Sequence, residues 1–358
     1  MSDLSNKEIA FVVTSMGRGG AERVVSILAN HYASIGWKTH IIMLWHDLLE
    51  YILDENVQVH YLAKEGGNPY RKIPHTVSAL RKLIKQIAPA SVVSFIAQNN
   101  IVSYLATRGL DVRLIISERI DPAAMKRGKL YSSVLNYVYA HSTVSVMQTR
   151  RALEYFPQNV QKNSVIIHNP VTVNCHALPE RDRILFTAGR LEKQKNHKML
   201  IAAFADFHKR FPEYKLVICG EGTLRCELES MVKSLGLVGS VCLPGVVSDV
   251  QERESKAEIF VLSSTYEGMS NALMEAMAIG LPCITTNCAG SDELVENMKN
   301  GLLVQVDDQQ GMLEAMIYMV EHREEAEKMG RTACESSMAF ATENVIALWR
   351  IAIEGKVE

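Results

Sequence analysis

The sequence predicts an α/β protein of two Rossmann-like β/α/β domains facing each other across a cleft, and three observations carry that expectation. The chain has 358 residues, more than a single hydrophobic core comfortably spans. Its strand-like runs, among them IAFVVTSM, RILFTAGRL and EIFVLSS, are continuously apolar rather than alternating, as befits strands buried on both faces of a parallel sheet. These runs alternate with helical patterns in two successive series, the order that builds sheets covered by helices.

The first series opens with IAFVVTSM, meets the glycines of GRGGAE, and continues into a helix with Val24, Val25, Leu28 and Ala29 on one side. Gly36 and a second strand, THIIML, complete a β-α-β unit. The second series runs RILFTAGRL as strand, KNHKMLIAAFADFHKRF as helix and KLVICGEG as strand. It continues through VCLPG, the strand EIFVLSS, a helix from Ser270, and the strands PCITT and GLLVQV. Polar residues and prolines in HNPVTVNCHALPERD break the periodicity and mark the junction. The expected domains are residues 1–170, completed by 340–358, and residues 171–339. The amphipathic segment SSMAFATENVIALWRIAI supplies a helix that crosses back to the first domain. In such open sheets, ligands bind beyond the carboxyl ends of the strands.

Hydrophobic residues make up 47% and charged residues 22% of the chain, a globular composition. The seven cysteines include no C-x-x-C pair, and several sit in apolar runs; they read as reduced, buried thiols rather than a disulfide framework or zinc ligands. The start, MSDLSNKEIAFVVTSMG, lacks a basic leader and a signal core, and no apolar run approaches a membrane span. A cytoplasmic protein is expected. The net charge of −2 conceals an asymmetry: residues 1–170 hold 19 Lys and Arg against 12 Asp and Glu, whereas 171–358 hold 19 against 28.

Three stretches can carry chemistry. GRGGAERV joins the first strand to the first helix, where glycines and unpaired helix N–H groups suit an anion. A dinucleotide fingerprint would want glycine in place of Glu22 and an earlier acid than Asp47, and a plain tight turn is the alternative. GRLEKQKN presents Arg190 and Lys195 after a strand, a planar fork and a point charge suited to a diphosphate; a solvated loop is the alternative. In YEGMSNALMEAMAIG, Glu267 lies in a turn, Ser270 or Asn271 caps the helix, and Glu275 lies more than a turn into it. Each carboxylate can accept from two hydroxyls of a sugar at once, with a diphosphate at the helix N-terminus between them. Alternatively, Glu267 is a helix-dipole partner and Glu275 an ordinary surface residue.

EGMSNALME resembles the E-x7-E motif of the retaining family 4 glycosyltransferases, which have the GT-B fold. GRLEKQKN resembles their diphosphate loop, GEGTLRCELE their G-x-G-x-x-R segment and GGAERV their N-terminal glycine loop, in the family's order along essentially the whole chain. The resemblance implies that Arg190 and Lys195 hold the donor diphosphate, that Glu267 binds the transferred sugar, and that Glu275 binds the ribose. It places Gly189, Gly220 and the backbone of Gly268, Met269, Ser270 and Asn271 around the donor, Val247 beside the base, and Gly19 and Gly20 at the reacting centre. Where relatives carry a histidine, IISERIDP offers Glu118 and Arg119; Glu118 either orients the acceptor hydroxyl or the donor sugar, or pairs with Arg119. No D-x-D triplet occurs, which argues against a metal-dependent transferase of the other major fold; the family implies transfer with retention and without metal or cofactor.

Between Glu65 and Asp111 no acidic residue occurs, and NPYRKIPHTVSALRKLIKQIAP carries Arg71, Lys72, Arg81, Lys82 and Lys85, with Val77, Leu80, Ile84 and Ile87 on one helical face. Such a helix suits an anionic membrane surface, at about 1 kcal/mol per cation; alternatively it packs its apolar face on its own sheet. MKRGKLY adds Lys126, Arg127 and Lys129. Nothing suggests the interleaved aromatics of a nucleic-acid binder. The expected activity is transfer of a sugar from a UDP-linked donor to a lipid-pyrophosphate-linked saccharide in cell-surface polysaccharide synthesis, peripheral to the inner face of the cytoplasmic membrane. The alternatives are a GT-B enzyme with a soluble acceptor, a sugar-nucleotide epimerase, a nicotinamide oxidoreductase resting on GRGGAE alone, and a non-catalytic sugar-nucleotide sensor.

Overall fold

A computed structural model describes residues 7–17, 19–62, 69–125, 127–175 and 181–355, without the side chains of 69–72. The chain forms two compact units, Met1–Pro170 with Glu343–Glu358, and Val171–Thr342.

The first unit alternates β1 (Glu8–Val13), α1 (Gly20–Ser34), β2 (Lys38–Met43), β3 (Val57–Tyr61), α2 (Pro69–Ile87), β4 (Ser91–Phe95) and α3 (Ala97–Thr107). It continues through β5 (Arg113–Ser117), α4 (Lys129–His141), β6 (Val144–Met147), α5 (Arg150–Tyr155), α6 (Gln158–Gln161) and β7 (Ser164–Ile166). These strands form one parallel sheet in the order β3-β2-β1-β4-β5-β6-β7, so the winding reverses between β1 and β4. Ile9, Phe11 and Val13 enter one core with Val24, Val25 and Leu28 of α1, while Ala10 and Val12 enter another with residues of α2, α3 and α4. Both faces of β1 are therefore buried, which is why its sequence is apolar without alternation.

The second unit repeats the plan with β8 (Asp182–Ala188), a 3₁₀ turn (Lys193–Lys195), α7 (His197–Arg210), β9 (Lys215–Cys219), α8 (Arg225–Ser234), β10 (Val241–Gly245) and α9 (Val250–Lys256). Then follow β11 (Ala257–Leu262), α10 (Asn271–Ala278), β12 (Cys283–Thr286), α11 (Ser291–Leu294), β13 (Leu302–Val304), α12 (Gln309–Glu321) and α13 (Arg323–Ser337). The parallel order β10-β9-β8-β11-β12-β13 reverses between β8 and β11. A switch point of this kind opens a crevice at the carboxyl ends of the two strands.

The last helix, α14 (Thr342–Glu354), belongs to the core of the first unit, where Val345, Trp349, Ala352 and Ile353 pack with α1 and the sheet. Its C-terminal carbonyls are satisfied by that unit: Arg113 donates to Ile353 O at 3.0 Å and Ala352 O at 3.2 Å, and Ser91 Oγ donates to Ile353 O at 3.0 Å. A cation on the last turn also complements the helix dipole. Trp349, with no exposed surface, lies 5.5 Å from the Phe95 ring.

Two expectations change here. The apolar face of α2 is core: Leu80 and Ile84 are fully buried and Val77 and Ile87 pack beside them, because α2 packs on α3 and closes that face of the sheet. That face cannot also meet a membrane. Arg81 is occupied at the C-terminus of α3, donating to Ala106 O and Arg108 O at 2.8 Å each, whereas Lys82 and Lys85 are exposed. The side chains of Arg71 and Lys72, and Lys126, lie outside the described residues. The cysteines are also not uniformly reduced and buried. Cys175 and Cys334 form a disulfide with a Cα–Cα distance of 5.9 Å, and Cys226 and Cys242 are exposed. Partners 159 residues apart are brought together by the fold, and no local spacing announces them.

Trp349→Ala is expected to destabilise the first unit by about 3–5 kcal/mol, the usual cost of emptying a large aromatic site. A urea midpoint within error of the wild type would contradict this packing role.

Candidate active site

The predicted donor residues of the second unit converge at the switch point between β8 and β11. The loop after β8 and the loop after β11 are stitched by backbone and side chain: Thr265 N donates to Gln194 O at 2.8 Å, Ser263 Oγ to Lys195 O at 2.8 Å, and Gln194 Nε2 to Tyr266 O at 2.9 Å. At the centre, Lys195 Nζ lies 2.5 Å from Glu267 Oε1, with the two side chains only 13% and 8% exposed. Ser264 Oγ donates to the same carboxylate oxygen at 2.6 Å. Arg190 is exposed at the rim and donates to Gln194 Oε1 at 3.2 Å. Two cations, one exposed and one largely buried, therefore stand after the end of β8.

Backbone packing shapes the floor. Gly220 has φ +141°, and a Cβ there would lie 2.0 Å from Gly189 O; only glycine lets the loops after β8 and β9 approach so closely. Gly290, at φ +81°, plays the same part behind the donor loop, where a Cβ would lie 2.2 Å from Gly268 O. Arg225, of the G-x-G-x-x-R segment, ties the glycine loop down, donating to Gly220 O at 3.3 Å and Leu243 O at 3.2 Å. Met269 and Ser270 are buried, and the Ser270 hydroxyl caps α10 by accepting from Leu273 N at 3.4 Å. The N-terminus of α10, with the positive end of its dipole, follows Glu267 and Gly268 by two residues. Glu275 is half-buried a turn further on, and Val247 is half-buried just after β10, against the core of α10 and β11.

In the first unit, Gly19 precedes α1 in extended conformation and Gly20 is its first residue. Tyr51 Oη donates to Gly19 O at 2.9 Å and so braces the loop. Glu118, at the end of β5, is wholly buried and binds Arg127 Nη2 at 3.0 Å and Tyr139 Oη at 2.9 Å. Burial alone would pull Arg127 down, but the Glu118 carboxylate holds its pKa above the ordinary value. Burial, reinforced by Glu118, raises the Tyr139 hydroxyl well above its ordinary range. Pairing with the Arg119 side chain does not occur. That guanidinium donates to Asn169 Oδ1 at 3.1 Å and lies 5.2 Å from the ring centres of both Phe95 and Trp349, and burial lowers its pKa to about 9.

Residues 172–336 match the family model described as glycosyl transferases group 1. The N-acetylgalactosamine-N,N'-diacetylbacillosaminyl-diphospho-undecaprenol 4-alpha-N-acetylgalactosaminyltransferase of Campylobacter jejuni is 30% identical over 336 residues, covering 88% of this chain and 90% of that protein. The chain belongs to the family 4 glycosyltransferases. A second Campylobacter jejuni enzyme, a GalNAc-alpha-(1->4)-GalNAc-alpha-(1->3)-diNAcBac-PP-undecaprenol alpha-1,4-N-acetyl-D-galactosaminyltransferase, is 30% identical over 84% of this chain and 86% of its own length. Among solved structures, Anabaena HepE in complex with UDP superposes with a TM-score of 0.85 at 16% identity, covering 98% of this chain and 100% of that one. Sucrose-phosphate synthase from Thermosynechococcus elongatus gives 0.81 at 18% identity over 96% and 97%. The glycosyltransferase has the GT-B fold.

Sequence reasoning missed three residues of this glycosyltransferase site. Gln194 and Ser264 sit inside quoted motifs but look like generic loop polarity; only the fold shows that they lock Lys195 and Glu267 in place. His197, the first residue of α7, is the third: it is buried two residues past Lys195. Burial, reinforced by the Lys195 charge, lowers its pKa to about 4, so the ring is neutral near pH 7 and adds no third charge behind the two cations.

Because the folded pKa of His197 lies below the unfolded value of 6.5, its contribution is complete above pH 6.5 and is lost as pH falls toward 4, at about 1.4 kcal/mol per pH unit. His197→Leu is expected to flatten that part of the stability profile, measured by urea unfolding between pH 7 and 5. Parallel profiles for the two proteins would contradict a buried neutral imidazole.

Proposed function

We propose that this glycosyltransferase moves a sugar from a UDP-sugar to a hydroxyl of a lipid-pyrophosphate-linked saccharide, with retention at the anomeric carbon, in cell-surface polysaccharide synthesis. The Lys195–Glu267 contact at the β8/β11 switch point carries the reading. It sets a cation for phosphate and a carboxylate for sugar hydroxyls side by side, directly before the N-terminus of α10. The UDP in the HepE structure and the undecaprenol-linked substrates in the names of the Campylobacter enzymes support the donor and acceptor classes.

In this reading Arg190, Lys195 and the first-turn amides of α10 neutralise the diphosphate, which makes a resident metal or other cofactor unnecessary. Gly189 and Gly220 leave room for it, Val247 borders the base, and the backbone from Gly268 to Asn271 lines the phosphates and sugar. Glu275 accepts from the ribose hydroxyls and Glu267 from those of the transferred sugar. The bond between the anomeric carbon and the β-phosphate oxygen breaks, its electron pair leaving with UDP. The acceptor oxygen bonds to the same carbon on the same face, and its proton passes to the departing phosphate oxygen. Lys195 then stabilises a charge that grows only as the bond breaks. Gly19 and Gly20 are, in this reading, the first unit's contribution to the reaction. Glu118, closed off from solvent, serves by positioning Arg127 and Tyr139 rather than by touching substrate. The cationic first unit favours a peripheral place at the inner face of the cytoplasmic membrane, beside the lipid-linked acceptor.

Calorimetric titration with UDP, GDP, ADP, NAD and UDP-sugars tests the donor site. The wild type is expected to select UDP and UDP-sugars, and Glu275→Ala to bind them roughly tenfold or more weakly, the loss of a charged hydrogen-bond acceptor. NAD binding, or unchanged UDP affinity in the variant, would overturn the assignment. Lys195→Met is expected to lower kcat by about 10²- to 10³-fold, as removal of one transition-state donor does; activity within a factor of two of the wild type would remove Lys195 from the mechanism.

A further inference from the structure

We propose that α4 makes the membrane contact of this enzyme: an exposed apolar stripe on the helix seats in the interface of an anionic bilayer, flanked by cations of α2, of α4 itself and of the turn after α3. The inference deepens, and rests on, the reading of a lipid-linked acceptor.

One face of α4 is core, with Leu135, Val138 and Tyr139 buried in the first unit. The other face is apolar too. Leu130, Val134 and Tyr137 are 82%, 40% and 50% exposed, and their spacing of four and three residues places them in one row along the helix. The row continues sideways, because the ring of Tyr104 on α3 meets Tyr137 edge-on at 6.0 Å and the neighbouring Leu105 is exposed as well. Single exposed apolar side chains are ordinary, but a contiguous row beside charged groups marks an interaction surface.

The charges on these helices have one sign. The sequences of α2, α3 and α4 contain no aspartate or glutamate, while Lys82, Lys85 and Lys129 are exposed; the turn after α3 adds exposed Arg108 and, three residues on, exposed Asp111. Arg81 fastens α2 to the end of α3, and the tyrosine pair joins α3 to α4, so the three helices present adjoining surfaces. A second copy meeting this face by two-fold symmetry would bring like cations together. An anionic bilayer answers both features: the apolar row enters the acyl boundary while the lysines and arginine meet lipid phosphates. Tyr137, apolar with a polar tip, suits the headgroup level. The apolar face of α2, consumed by the core, cannot do this.

Flotation of the full chain with vesicles tests the surface. The wild type is expected to float with vesicles containing phosphatidylglycerol and not with pure phosphatidylcholine. Leu130→Ser with Val134→Ser, and separately Lys82→Ser with Lys85→Ser, are expected to lower vesicle affinity roughly tenfold or more, the second pair losing its effect at high salt. UDP binding by calorimetry is expected to be unchanged in both variants, which shows that they fold. The proposal is overturned if the wild type ignores anionic vesicles, if the stripe variant floats like the wild type, or if the stripe variant only converts a dimer to a monomer. Failure of UDP to bind the wild type would instead sink the donor assignment, whatever the vesicles show.

Discussion

The ion pair between Lys195 and Glu267 is the constraint on which the candidate donor site depends. The two side chains come from different loops, are largely withdrawn from water, and meet at 2.5 Å. Separating them would leave one uncompensated charge in a poorly solvated place, which typically costs about 3–5 kcal/mol. The pair therefore fixes the distance between the loop after β8 and the loop after β11, and the bonds of Gln194, Ser263, Ser264 and Thr265 fix their orientation. The site is thus formed before any ligand arrives. On the proposed donor reading, a diphosphate at the N-terminus of α10 would meet a lysine already in position, so ordering that side chain would cost binding little.

The same economy of placement recurs in the rest of the fold. Reversal of winding in each sheet leaves room at the carboxyl ends of two neighbouring strands, and glycines with positive φ or forbidding neighbours close the gaps between loops. In the first unit the equivalent region is braced by buried polar chemistry: Glu118 gathers Arg127 and Tyr139, while Arg119 stands against Phe95 and Trp349. Through Trp349 the last helix of the chain becomes part of that brace, which explains why the amphipathic C-terminal segment belongs with residues far from it in sequence.

Much of this was legible in the sequence for physical reasons. Strands such as EIFVLSS are buried on both faces and so read as unbroken apolar runs, and Glu267, Glu275, Arg190 and Lys195 sit in motifs whose order along the chain is informative. What stayed hidden depends on neighbours distant in sequence. The apolar face of α2 looks the same whether it meets a sheet or a membrane, and only its packing with α3 and the sheet decides. The row on α4 escaped notice because Leu130, Val134 and Tyr137 are interleaved with the core residues Leu135, Val138 and Tyr139, so the helix reads as evenly apolar. Glu118 and Arg119 are adjacent in sequence, yet their side chains choose partners 9 and 50 residues away. The neutral state of His197 arises from burial, which a single histidine after a lysine-rich loop does not disclose.

The account is tested most directly by a double-mutant cycle on the apo enzyme, comparing the unfolding free energies of wild type, Lys195→Met, Glu267→Gln and the double variant. If the pair holds the two loops together, the double variant is more stable than the sum of the single losses allows, with a coupling of about 1 kcal/mol or more. Additive losses, with coupling near zero, would contradict a preformed donor site built on this pair.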